Sequence, residues 1–302
     1  MPELTGATNL HERAHTLLDR ICDLTGLDAS GAELLRLRSN AVFKLRGPII
    51  VRIATAPAAA ERLPAVLAAT RWLAGRDFPT VEPADEITDQ PVTLDGVTAT
   101  FWRYIPTSPT PASTRDLGRL LRDLHTGPTP PFPLRELTDP LAGIRATVQH
   151  HPGVLTTTEQ EWLSRHIAAM TDAWNRLPFT APPALVHGDA WIDNLLRHQD
   201  GHVVLADWDS VAAGPREWDL IHSHHGQRRF GLSPADVDDF TSAYGYDLHK
   251  WPGYETLMRI RDLYAIGIHI RNAPGDPFSR RELAHRLTSM QTNNTHTRWH
   301  MR

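Results

Sequence analysis

The chain has 302 residues, enough for one large domain or two modest ones with a substantial interior. Its 31 cationic residues face 35 acidic ones, a net charge of −4, so no basic field exists to hold nucleic acid or an anionic membrane. A single cysteine, Cys22, excludes a disulfide framework and any multi-cysteine metal centre. The opening residues lack a basic-then-apolar leader, and no run approaches the roughly 18 apolar residues of a membrane span. The expectation is a globular protein of the cytoplasm. Only Lys44 and Lys250 are lysines, so wherever the chemistry wants a cation, the chain offers a planar guanidinium.

In chain order, Leu10–Leu24 places Leu10, Ala14, Leu17, Leu18 and Ile21 on one face of a helix. The period then changes. Glu33–Arg38, Ala41–Leu45 and Ile49–Ile53 read as three strands parted by Ser39-Asn40 and Gly47-Pro48. A helix is expected over about Ala58–Ala74, stopped at Gly75. Gln90–Thr93 and Val97–Tyr104 flank Asp95-Gly96, a strong two-residue hairpin signal. The first hundred residues therefore read as a five-stranded antiparallel sheet with one or two helices.

Beyond Pro106 the texture becomes helical. Ser113 or Thr114 caps a segment carrying Leu117, Leu120, Leu121 and Leu124, and Glu159–Leu177 reads as a second long helix. Ala184–His187 and Val203–Asp207 are expected to form a hairpin-like pair, and residues 233–302 to be mostly helical. The fold class is thus α+β. A small nucleotide-binding lobe over 1–103 would precede a larger helical lobe over 104–302, with a cleft at the short linker.

The stretch 185–210, LVHGDAWIDNLLRHQDGHVVLADWDS, carries the chemistry. Asp189 follows a strand and a glycine turn, Asn194 comes five residues later, and Asp207 ends the next strand. Phosphoryl transfer from a nucleotide asks for one carboxylate at the acceptor hydroxyl, and an amide with a second carboxylate on the metal. The order of residues matches that demand.

This segment resembles the catalytic region of the aminoglycoside phosphotransferase and choline kinase family, of protein-kinase-like fold. The likeness continues through Gly214-Pro215-Arg216-Glu217-Trp218-Asp219-Leu220, and more loosely through Ser39–Val42, Arg52 and Thr100–Tyr104. The resemblance implies Asp189 as catalytic base, Asn194 and Asp207 as Mg²⁺ ligands, His187 fixing the loop and Asp219 bracing it from below. It also implies that Arg52 holds phosphates where kinases use lysine, and that Ser39 and Asn40 cap them. Trp102 to Tyr104 would read the base and Val42 cover it. Asp209 would assist the metal or simply end the hairpin. The helical acid pairing with Arg52 has only Glu61 as nominee, because Val66 occupies the expected place. ATP with Mg²⁺, or GTP, is the implied cofactor.

Trp191, His222 and Arg228 are candidates for the acceptor side: an aromatic near the base, a histidine after Asp219, and a cation for an anionic group. Asp236, Asp238 and Asp239 follow Ser233-Pro234 and are explained by a helix start. His11-Glu12-Arg13-Ala14-His15 spells a zincin motif but sits on the first helix with no third ligand prescribed. The sequence thus points to transfer of a γ-phosphoryl group to a hydroxyl of a small molecule, such as an aminoglycoside, a nucleoside or another antibiotic. The alternatives are a housekeeping metabolite kinase, a nucleotide-binding module without turnover, and a zinc hydrolase.

Overall fold

The computed structural model describes residues 3–37, 40–54, 60–179 and 181–301, with side chains from residue 11 onward. The elements up to residue 103 are α1 (Glu3–Thr25), β1 (Glu33–Leu37), β2 (Asn40–Lys44), β3 (Ile49–Ala54), α2 (Leu63–Ala74), β4 (Val92–Leu94) and β5 (Val97–Arg103). Then come α3 (Thr114–Thr126), α4 (Ala142–His150), α5 (Thr157–Trp174), β6 (Ala184–Val186), β7 (Leu195–Arg197), β8 (Val203–Leu205) and β9 (Ala212–Gly214). Four helices close the chain: α6 (Glu217–His225), α7 (Pro234–Tyr244), α8 (Tyr254–Asn272) and α9 (Pro277–Gln291). The chain divides into two compact units. One holds Met1–Pro111, Pro130–Phe132 and Asn194–Val211; the other holds Ala112–Thr129, Pro133–Asp193 and Ala212–Arg302.

In the first unit the strands form an antiparallel sheet in the order β1-β2-β3-β5-β4. Strand periodicity sorts its residues into two faces. Phe43, Val51 and Phe101 stand in one cross-strand row, and Ala41, Ile53 and Ala99 in another. All are buried, packed with Ala14, Leu18, Ile21 and Cys22 of α1. The intervening row, Val42, Arg52 and Thr100, therefore faces the other way. That alternation is what presents Arg52 on the face opposite the core, in company with Val42, Ile50 and Trp102. The β4–β5 turn uses Asp95 at φ 49° and Gly96 at φ 77°, as a tight primed turn requires. Residues 55–59, where the second helix was expected to begin, lie outside the described ones; α2 starts at Leu63.

One expected pairing is corrected. Ala184–Val186 does not pair with the strand ending before Asp207. It pairs with β9, in register Ala184↔Gly214, while β8 pairs with β7. Three-residue strands carry too little alternation to declare a partner.

The second unit is built on helices with well-marked starts. Ser113, Thr156 and Ser233 each cap a helix and are answered by Asp116, Glu159 and Asp236 in reciprocal capping boxes. The acidic residues after Ser233 are thus a helix start. Helices α3 and α7 approach closely at Gly118, where an added Cβ would stand 2.5 Å from the Phe240 carbonyl oxygen. Helix α8 runs through the interior, burying Leu257, Met258, Ile260, Leu263, Ile266 and Ile270. No helix among the described residues is long and apolar enough to cross a membrane.

Candidate active site

In the second unit, β6 ends at Val186 and the chain turns at Gly188, whose φ of 82° belongs to the left-handed region that glycine enters freely. The turn is held from α6. Asp219 is fully buried and accepts the His187 N–H at 2.7 Å and the Gly188 N–H at 2.8 Å. His125 Nε2 lies 3.0 Å from the same carboxylate, and its Nδ1 lies 3.0 Å from the Tyr244 hydroxyl. Burial pushes the Asp219 carboxyl up, but His125 and its neighbours outweigh it and hold it below the usual carboxylate range. Above it, Trp218 Nε1 donates to the Gly188 carbonyl at 3.0 Å, and the Asp189 N–H to His187 Nδ1 at 3.3 Å. Asp189 is thereby fixed at the turn.

Its side chain remains 42% exposed. Oδ1 accepts from Arg261 Nη2 at 3.1 Å, and His222 Nε2 stands 3.3 Å from the same oxygen. The Arg261 guanidinium is nearly buried, 4.5 Å from the Tyr264 ring and 5.5 Å from that of Trp218. Burial raises the Asp189 carboxyl, yet His222, Arg261 and His187 together hold it well below its ordinary value. His222 is itself depressed by burial and by Arg261, so it is neutral at pH 7. The result is an ionised carboxylate, exposed along one edge, that can accept a hydroxyl hydrogen.

In the first unit, the β7–β8 hairpin brings Asp207 back to Asn194. The Ala206 N–H donates to the Asn194 carbonyl at 2.8 Å, and Asp207 follows at φ 63°. A non-glycine residue there is uncommon and turns its carboxylate out of the strand direction. Arg52 of β3 donates from Nη1 to Asp209 Oδ1 at 2.7 Å and from Nη2 to Oδ2, with Nη2 3.5 Å from Asp207 Oδ1. Arg36 Nη2 stands 4.0 Å from the other Asp207 oxygen. Burial works against the Arg52 charge, but Asp209 and Asp207 outweigh it and keep it firmly protonated. If the Asn194 amide oxygen joined the Asp207 and Asp209 carboxylates, the donors would be hard oxygens, which suit Mg²⁺ better than a soft metal.

Residues 32–257 match the model of a phosphotransferase enzyme family. The chain belongs to the phosphotransferase enzyme family. Its members include the aminoglycoside phosphotransferases that the sequence resembles, and the chain is a small-molecule phosphotransferase of α+β, kinase-like fold. Among solved structures, an amicoumacin kinase in complex with AMP-PNP, Ca²⁺ and Ami superposes with a TM-score of 0.64 at 12% identity, covering 88% of this chain and 89% of that one. A choline/ethanolamine kinase family protein from Mesorhizobium loti gives 0.60 at 21%, covering 92% and 94%. An aminoglycoside phosphotransferase from Streptomyces rimosus gives 0.61 at 19%, covering 87% and 98%. Among curated protein sequences no match was found.

The other expected residues of this phosphotransferase fall as follows. Ser39 lies outside the described residues. Asn40 is buried at the start of β2, and Val42 shares the Arg52 row. Trp102 is buried, with Nε1 donating to Thr100 Oγ1 at 2.9 Å. The N–H groups of Arg103 and Tyr104 are spent on the Glu82 and Pro48 carbonyls, at 2.8 and 2.7 Å. A base meeting this strand would therefore be read by other backbone groups. Lys44 sits 4.2 Å from the Tyr104 ring centroid. Trp191 packs edge-on to Phe230 at 5.7 Å, against Gly226. His222 is fully buried against Asp189, and Arg228 is engaged by Glu255 through both terminal nitrogens, at 3.0 and 2.6 Å.

Two contacts join residues far apart in the chain. Arg261 reaches Asp189 from α8, 72 residues on. The acid gripping Arg52 is Asp209, 157 residues on, whereas the nominee Glu61 is exposed beside α2. Neither partner is signalled by local spacing. An arginine among the apolar residues of a buried helix was the available hint for Arg261.

Proposed function

We propose that this phosphotransferase moves the γ-phosphoryl group of ATP, or of GTP, onto a hydroxyl of a small molecule. The observation that carries the reading is the pair of Asn194 and Asp207, tied together by the Ala206–Asn194 hydrogen bond on the hairpin that follows Asp189. Asp189, ionised and exposed along one edge, accepts the hydroxyl hydrogen and orients its oxygen for in-line attack. Its low basicity suits a loose transition state, in which the proton leaves late. Asn194 and Asp207 would hold Mg²⁺, which when bound neutralises phosphate charge. Arg52, fixed by Asp209, presents a guanidinium to phosphate oxygens. Ser39 and Asn40 would close over the phosphates, with Val42, Trp102 and Tyr104 beside the base. Catalysis is mostly positioning and charge neutralisation.

For the acceptor, the charge around Asp189 argues against a polycation. Arg261 already pairs with Asp189, Arg229 and His225 consume Asp262, and Arg228 consumes Glu255. A polyamine would find its carboxylates occupied. We therefore favour a hydroxylated antibiotic of low positive charge, such as a nucleoside, met at Asp189 beside Trp191, with the buried His222 acting only through Asp189. The antibiotic role draws support from the amicoumacin kinase and aminoglycoside phosphotransferase likenesses.

The test is nucleotide consumption with Mg²⁺ and ATP or GTP against a panel of hydroxylated antibiotics and metabolites, with Asp189→Ala alongside. Acceptor-dependent turnover that vanishes in the variant supports the assignment. Turnover that survives Asp189→Ala would overturn it.

A further inference from the structure

The hairpin between β7 and β8 turns through His198-Gln199-Asp200-Gly201-His202. The His198 N–H donates to the His202 carbonyl at 2.8 Å, so the two histidines are cross-strand partners at its tip. Gly201, at φ 99°, makes the turn. The rings stack with centroids 4.6 Å apart and planes 21° from parallel. Both Nδ1 atoms converge on one carboxylate oxygen, Asp200 Oδ1, at 2.9 Å for His198 and 2.5 Å for His202. The three donor atoms lie within 4.8 Å of one another, and Asp200 and His202 are exposed.

We propose that His198, Asp200 and His202 form a binding site for a borderline transition metal ion of the Zn²⁺ class, separate from the nucleotide's Mg²⁺. Two imidazole nitrogens and one carboxylate oxygen suit Zn²⁺, Ni²⁺ or Cu²⁺, whereas Mg²⁺ prefers oxygen ligands and retains its water. Metal–ligand bonds of about 2.0–2.2 Å set donor atoms roughly 3.3 Å apart in a tetrahedron. The present separations open to that value by small rotations about exposed side chains. Water takes the fourth position. The contact of His202 Nδ1 with Asp200 Oδ1 and the Asp200 N–H bond to His198 Nδ1 hold the three groups gathered before the ion arrives.

The ion would act as a clip. It joins the tip of the hairpin whose base carries Asn194 and Asp207, and stiffens the strands between. The same side chains also serve the turn itself: the His202 N–H donates to Asp200 Oδ1 at 3.1 Å and the Asp200 N–H to His198 Nδ1 at 3.2 Å. A turn role alone predicts no metal affinity, so the two readings separate cleanly.

The experiment is calorimetric titration of the full-length protein with Zn²⁺ in millimolar Mg²⁺ at neutral pH. It is repeated with His198→Ala, His202→Ala and Asp200→Asn, and with His11→Ala/His15→Ala as a control for the helical pair on α1. The expected result is a Zn²⁺ equivalent of micromolar affinity or tighter in the wild type. Each histidine variant weakens it at least about tenfold, by loss of a direct ligand, and the control leaves it unchanged. Hydrogen exchange of the hairpin amides slows on adding Zn²⁺ to the wild type and not to His198→Ala. Folding of each variant is checked by circular dichroism, and the exposed tip makes loss of fold an unexpected result. The site is refuted by no stoichiometric Zn²⁺ binding in the wild type. It is equally refuted by binding that persists without His198 and His202, or that disappears with His11 and His15.

Discussion

Arg261 donates from Nη2 to Oδ1 of Asp189 at 3.1 Å, placing a nearly buried guanidinium on the carboxylate expected to meet the acceptor. That contact opposes the effect of burial on Asp189. Without it, desolvation raises the carboxyl and the group binds a proton at higher pH. In Arg261→Met the acid limb of the kcat/KM profile should therefore move to higher pH, with a rate loss of about 10–100-fold at neutrality. Arg261→Lys should recover part of both. The measurement is phosphate transfer to the acceptor found by the screen, from about pH 4.5 to 8. There the wild type should show no acid limb from Asp189, and Arg261→Met should show one entering from the acid side. An Arg261→Met profile with the wild type's shape would show that Arg261 does not set the state of Asp189.

Asp219 accepts two backbone N–H groups with no exposure to water, and a third polar contact comes from His125. Asp219→Ala leaves those donors buried without an acceptor, a loss of about 3–5 kcal/mol. Asp219→Asn keeps the shape and one acceptor oxygen, so it should cost less while still loosening the Asp189 turn. Urea unfolding monitored by fluorescence gives the ranking, expected as wild type, then Asn, then Ala.

The same constellation explains how far the sequence could be read. His187, Gly188, Asp189, Asn194 and Asp207 lie within 21 residues, and a turn followed by a hairpin is decided by local spacing. The five-stranded sheet was legible for a similar reason: alternation and Asp95-Gly96 are short-range signals. The pairing of β6 with β9 was not, because three residues per strand fix no partner. Arg261 and Asp209 were missed because their contacts close loops of 72 and 157 residues, and only the packed fold selects such partners.

Arg52 and Asp209 meet as two planar groups joined by parallel hydrogen bonds. Lysine offers a point charge without that fork. Arg52→Lys should therefore lose nucleotide affinity much as Asp209→Asn does, each by about tenfold. A fluorescent ATP analogue titrated with Mg²⁺ measures it. If Asp209→Asn binds as the wild type does, Arg52 is not held for phosphate by this pair.

Among the buried histidines, three are pushed far enough down to weaken the fold in mild acid. Burial takes His224 down to about 3, and His225 and His269 to about 4, so all three are neutral in the folded protein. In the unfolded chain they protonate near pH 6.5. The unfolded state therefore binds more protons below that value, and stability falls as pH drops from about 6.5 toward 4. Each histidine contributes a slope approaching 1.4 kcal/mol per pH unit across that window. His224 separates this effect from the rest. Neither of its ring nitrogens has a hydrogen-bond partner, and Phe240, His249 and Tyr254 surround it with rings 4.5–6.5 Å away. His224→Phe replaces two unsatisfied polar atoms with an apolar ring of similar shape. It should hold or raise stability at pH 7 and flatten the decline between pH 6.5 and 5 by close to one proton. Urea midpoints at several pH values measure both, and a decline as steep as the wild type's would mean that His224 takes no part in it.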